Sequence, residues 1–183
     1  MTLILLALAC SSVIPETTTN PVDKLAGHAD VRLGQKVEDI PGLVRSPSDD
    51  NYADKEEAYT RPADRGDFMM GSSFISANGP PTYAVRDGVL FSVTIKVKDV
   101  PVANYPGGGS KPVFDVNPSL NDCGTLLEAL TTLLGKPAED GEAPYRDYAW
   151  SGDLSKIRVG TYTNTYDGVR TCFYSTRMEK AQP

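Results

Sequence analysis

The chain has 183 residues, 18 Lys plus Arg against 24 Asp plus Glu, and a formal charge of −6. That length holds one domain with room for a tail. The acidic balance argues against a nucleic-acid partner, because phosphate recognition needs clustered cations. The single histidine, His28, excludes a His-rich metal centre.

The chain opens on an apolar run, Leu3 to Ala9, which stops at Cys10-Ser11. The run is too short to cross a hydrocarbon core, which takes about 20 helical residues. It has the length of a short secretory h-region. A small residue followed by Cys resembles the lipobox of bacterial lipoproteins. That resemblance implies a signal peptide over 1–10, a diacylglycerol on Cys10 and, with Ser11 next, an outer-membrane lipoprotein facing the periplasm. Ala7 and Leu8 stand where the lipobox usually has a branched and a small residue. Met1-Thr2 carries no cation, which predicts a leader that begins upstream.

Residues 11–67 read as a polar tether. Their aromatics are only Tyr52 and Tyr59, and Pro15, Pro21, Pro41, Pro47 and Pro62 punctuate them. Such composition buries too little surface to offset a chain entropy of about 1–2 kcal/mol per residue. The alternative is a short packed element within Val31–Val44.

The texture changes at Phe68, and 68–180 reads as an α+β domain. Asp87-Gly88 marks a tight hairpin turn. After it, Val89, Phe91, Val93, Ile95 and Val97 alternate with more polar residues, the pattern of a half-buried strand. The loop Gly107-Gly108-Gly109-Ser110-Lys111 lacks the order and spacing of a phosphate loop. One main helix is predicted over about 120–134, capped by Ser119 and ended by Gly135 and Pro137. Its apolar stripe includes Cys123. Strands are predicted over Tyr145–Ser151, Lys156–Thr165 and Val169–Met178, the last two joined through Asp167-Gly168. The fold expected is this helix packed on an antiparallel sheet of four to five strands.

Three cysteines in an exported chain leave one to explain separately. With Cys10 lipidated, Cys123 and Cys172 are the expected disulfide pair, since both fall on predicted inner faces.

Over about 114–178, Leu133-Leu134-Gly135-Lys136-Pro137 closes a helix, and a strand with Tyr148-Ala149-Trp150 and a hairpin follow. This arrangement is similar to the small domains of the SmpA/OmlA outer-membrane assembly lipoproteins and of the β-lactamase-inhibitor protein. A hairpin precedes the helix here, and one helix is clear where those domains usually have two. The resemblance implies a noncatalytic protein-binding module at the cell envelope.

Enzyme readings find little to stand on. His28 falls in the predicted tether, and no Gly-x-Ser-x-Gly elbow occurs. Asp147 and Asp153 flank Trp150 and are the carboxylates to inspect for glycoside chemistry. Asp49, Asp50 and Asp54 do not have the spacing of a calcium loop. No catalytic residue, metal site or cofactor is expected. A binding surface is expected instead from Arg146, Tyr148, Trp150, Arg158 and Tyr162, residue types enriched at interfaces. The expected partner is an envelope protein, with the chain acting as an assembly factor, inhibitor or immunity-type protein. The alternative is a protein that binds or cleaves peptidoglycan or another glycan.

Overall fold

A computed structural model describes residues 18–46, 56–101, 122–141, 145–163 and 169–179. In chain order its elements are α1 (Pro21–Lys24), β1 (Gly27–His28), β2 (Val31–Arg32), β3 (Val44–Arg45), β4 (Glu57–Thr60), β5 (Phe68–Met70), β6 (Ser73–Ile75), β7 (Thr82–Arg86), β8 (Val89–Pro101), α2 (Asp122–Leu134), β9 (Ala138–Asp140), β10 (Tyr145–Ser151), β11 (Ser155–Thr163) and β12 (Val169–Met178). A short 3-10 turn spans Val37–Asp39.

Eight strands form one antiparallel sheet in the order β3-β4-β7-β8-β12-β11-β10-β9. The β7–β8 hairpin turns through Asp87 and Gly88, both at positive φ (52° and 76°) as a primed turn demands. Asp167-Gly168 lies outside the described residues. β8 carries one extra residue, Phe91, where Ala84 pairs with Ser92 but Val85 pairs with Leu90. Such a bulge shifts the phase of alternation.

The period-2 pattern places Val93, Ile95, Val97, Cys172, Tyr174, Ile157, Val159 and Trp150 on one face of the sheet, all buried. α2 packs there through Cys123, Leu126 and Leu130, and Met70 and Ile75 of the β5–β6 hairpin join the same core. Cys123 and Cys172 stand at disulfide distance, with Cα atoms 5.8 Å apart, and tie α2 to β12.

This architecture corrects the expected fold class. The protein is mainly β, with an eight-stranded sheet and α2 as the one long helix among the described residues, not a helix on four to five strands. The additional strands β3, β4 and β9 are two to four residues long, too short for alternation to register in the sequence.

The boundary at Phe68 is corrected as well. Within the stretch read as tether, Val22, Ala26, Val31, Leu33, Ile40 and Ala58 are buried. Val31, Leu33 and Ile40 form a second core cluster with Tyr83, Leu90 and Val93. Backbone bonds from Gly34 N–H to the Leu90 carbonyl (2.9 Å), from Leu90 N–H to Gln35 (2.8 Å) and from Val37 N–H to Gly88 (2.9 Å) lace this segment to the start of β8. Pro21, one of the prolines that punctuate this stretch, opens α1, where Asn20 caps the Val22 N–H at 3.0 Å.

Asp23 fixes the segment to the far side of the sheet. Its carboxyl group, 2 % exposed, accepts from the backbone N–H groups of Asp153 (3.0 Å), Leu154 (3.3 Å) and Ser155 (2.9 Å) and from Ser155 Oγ (2.6 Å). Gly152 is required beside it, since a Cβ there would lie 2.3 Å from Asp23 Oδ1. Removing a buried acceptor orphans its donors at about 1–3 kcal/mol each. Asp23→Ala is therefore expected to destabilise the protein by about 3 kcal/mol in urea titration. An unchanged midpoint would mean that residues 18–46 do not belong to the cooperative unit.

Candidate functional site

Register decides which side chains share a surface. Tyr148 pairs with Val159 and Trp150 with Ile157, so Arg146, Tyr148 and Trp150 belong to the inner face with α2. Tyr145, Asp147, Arg158 and Tyr162 belong to the outer face. The five residues expected to form one surface are thus divided between two.

Trp150 is a core residue, 4 % exposed, and its indole Nε1–H donates to the Gly135 carbonyl at 2.8 Å. Gly135 holds that carbonyl in place from the left-handed position (φ 83°) that ends α2. Tyr148 is half-buried against the same core and lines a groove of about 460 Å³ between α2 and β9 with Leu127 and Pro137. Arg146 is exposed at the inner rim. Cys10 lies outside the described residues.

The outer face carries the open site. Tyr145 and Tyr162 stack across β10 and β11 with ring centroids 4.9 Å apart. Arg158 forms an ion pair with Asp147 on the same strand pair. Phe173 stands on β12 between Lys96 and Gly160 and is 41 % exposed. Across the register, Thr60, Thr82, Thr94 and Ser175 make a row of hydroxyls that ends at Arg158. The neighbouring row runs Ala58, Ala84, Ser92, Arg177, Lys156. Its small residues, with Thr82 and Thr94, line a recess of about 220 Å³.

Where the bulge turns Phe91 outward, two guanidinium groups lie over its ring, Arg86 at 4.0 Å and Arg177 at 4.7 Å from the centroid. Cations this close to a ring face are attracted by its quadrupole. Glu56 pairs with Arg86 at 2.6 Å and with Arg177 at 3.8 Å. Lys156 pairs with Glu179 at 3.3 Å. Arg86, Arg177, Lys156 and Arg158 line a second recess of about 300 Å³ with Phe91 in its wall.

Sequence reasoning missed Phe173 and Arg177. The signal was present: both are out of phase with Cys172, Tyr174 and Met178, so an inward Cys172 sends them outward. Asp147 and Asp153 do not converge. Asp147 is committed to Arg158 on the outer face, and Asp153 sits exposed in the turn after β10.

His28, read as a solvated residue, is buried edge-on to Phe68 at 6.3 Å. It adjoins a closed network. Arg61 grips Asp30 through both terminal nitrogens (2.5 and 3.2 Å) and Asp64 through Nε (2.7 Å), and Tyr83 OH donates to Asp64. Burial, together with Asp64, holds the Tyr83 phenol neutral by raising its pKa, and the hydrogen bond to Asp30 raises that of Arg61. Chemically this arrangement is a brace between the N-terminal segment and β7.

No family model matches the chain, and no curated protein or solved structure matches it.

Two outcomes follow from these placements. Trp150→Ala is expected to cost about 3–5 kcal/mol of stability by emptying a core site, whereas Phe173→Ala costs less than about 1 kcal/mol; thermal unfolding compares them. The second concerns pH. Burial lowers the His28 pKa from its ordinary 6.5, against the opposing pull of Asp64 and of a hydrogen bond to the Arg65 backbone. The unfolded chain therefore takes up a proton near pH 6.5, while the folded chain resists until lower pH. This contribution to stability is complete above that pH and is lost as pH falls through it toward the folded value. Denaturation midpoints are expected to drop between about pH 7.5 and 5.5, and less steeply in His28→Gln.

Proposed function

We propose that this chain is a noncatalytic cell-envelope lipoprotein that acts as a protein-binding module, an assembly factor, inhibitor or immunity-type protein. In this reading the lipid on Cys10 anchors it to the outer membrane on the periplasmic side, and the outer face of the sheet meets the partner. The observation that carries the reading is that face. Tyr145, Phe173, Arg158 and Arg177 are all exposed on one side of a sheet whose other side is packed. Aromatic and Arg side chains are the ones that dominate interface energies, and they need no tuned acid or base. The Cys123–Cys172 pair supports an exported location, because disulfides persist in oxidising compartments.

Site-specific photo-crosslinking in cells is the test. A crosslinker at Phe173 is expected to yield a discrete protein adduct, and one at Leu133, exposed on α2, is not. Tyr145→Ala combined with Tyr162→Ala is expected to weaken formation of that adduct by about 1–3 kcal/mol with the melting temperature preserved. Adducts from Leu133 alone would move the interface to the helix side. Attachment to peptidoglycan without a protein adduct, or release of soluble glycan fragments, would replace this reading with the glycan one.

A further inference from the structure

The crowding of positive charge around Phe91 runs against the rest of the molecule. The chain carries a net −6, yet four cationic side chains from three strands border one recess. Arg177 stands directly opposite Lys156 in the β11–β12 register. Each meets an acid, Lys156 at Glu179 (3.3 Å) and Arg177 at Glu56 (3.8 Å), and the Arg177 pair is the looser of the two. Arg86 and Arg177 also share a single ring.

We propose that this recess receives the side-chain carboxylates of an acidic segment of the partner protein; the inference rests on the binding reading above. Three features favour carboxylates on a protein. Arg guanidinium groups offer a planar fork that matches a carboxylate bidentately, and two of them lie against the Phe91 ring. The resident acids leave room for exchange. Glu56 is held close by Arg86 and lies 3.8 Å from Arg177, whose side chain is 50 % exposed. An incoming carboxylate can take the Arg177 fork without displacing the Arg86 pair. Finally, Glu56, Glu179 and Asp147 are interleaved with the cations. These acids and the net negative charge oppose a dense phosphate surface such as a membrane, while discrete carboxylates fit between them.

The experiment uses the full chain and three probes: a labelled hexaglutamate peptide, its hexaglutamine counterpart and phosphatidylglycerol vesicles. Hexaglutamate is expected to bind, to shift the amide resonances of Arg86, Lys156 and Arg177 and to weaken as salt rises. Arg177→Glu with Lys156→Glu is expected to reduce that binding by at least about tenfold. Hexaglutamine and the vesicles are expected not to bind. If the double variant fails to fold, Arg177→Gln and the resonance map of the unaltered chain decide the matter. The inference is overturned if hexaglutamate leaves those resonances unmoved, if hexaglutamine binds equally, or if the vesicles bind in preference. Loss of peptide binding with the Phe173 adduct intact would refute the acidic segment alone. Absence of both would refute the binding reading with it.

Discussion

A buried carboxyl group must be met by donors, and Asp23 meets them in the turn between β10 and β11. The second core cluster depends on that contact. Residues 18–46 form no long element of their own. They remain on the sheet because Asp23 fastens one end, the backbone bonds to Leu90 and Gly88 fasten the middle, and the Asp30–Arg61 pair braces them to the loop after β4. Held in this way, Val31, Leu33 and Ile40 cover Tyr83 and Leu90, which α2 does not reach.

Among the described residues, the packed side of the sheet is assembled from three pieces: α2, the β5–β6 hairpin and the N-terminal segment. An antiparallel sheet tolerates water on its other side provided that alternate residues are polar. Here the rows of Thr and Ser meet that requirement. Tyr145 and Phe173 add exposed rings to this side, and Arg158 and Arg177 add exposed cations. The two recesses and the rings on this face follow mainly from register and from the bulge at Phe91. A site mounted on paired strands is held more rigidly than one on loops.

Much of the local structure was legible in the sequence. The limits of β10 and β12, the Asp87-Gly88 turn, the end of α2 at Gly135 and the proximity of Cys123 to Cys172 follow from period, turn chemistry and spacing. The width of the sheet was not legible, because strands of two to four residues leave no period to read. Nor was the packing of Val22, Val31, Leu33 and Ile40. They are isolated apolar residues among Gly, Pro and charged neighbours, and burial came from a sheet that the local sequence does not announce. The binding surface failed on parity. Each strand was read with its own alternation, but whether Tyr148 faces Arg158 or Val159 depends on a one-residue register that period alone leaves open.

The short strands at the two edges of the sheet have a meaning for the molecule in a crowded compartment. A wide antiparallel sheet with unpaired edges invites another copy to add strand to strand, and growth of that kind leads to fibres. β3 offers two residues and β9 three, and β9 ends on Glu139 and Asp140, both exposed. Gly141 then turns the chain at φ 81°. An added strand would gain only two or three ladder bonds, and at β9 it would bring acidic side chains against their copies. Short edge strands of this kind limit edgewise growth of the eight-stranded sheet.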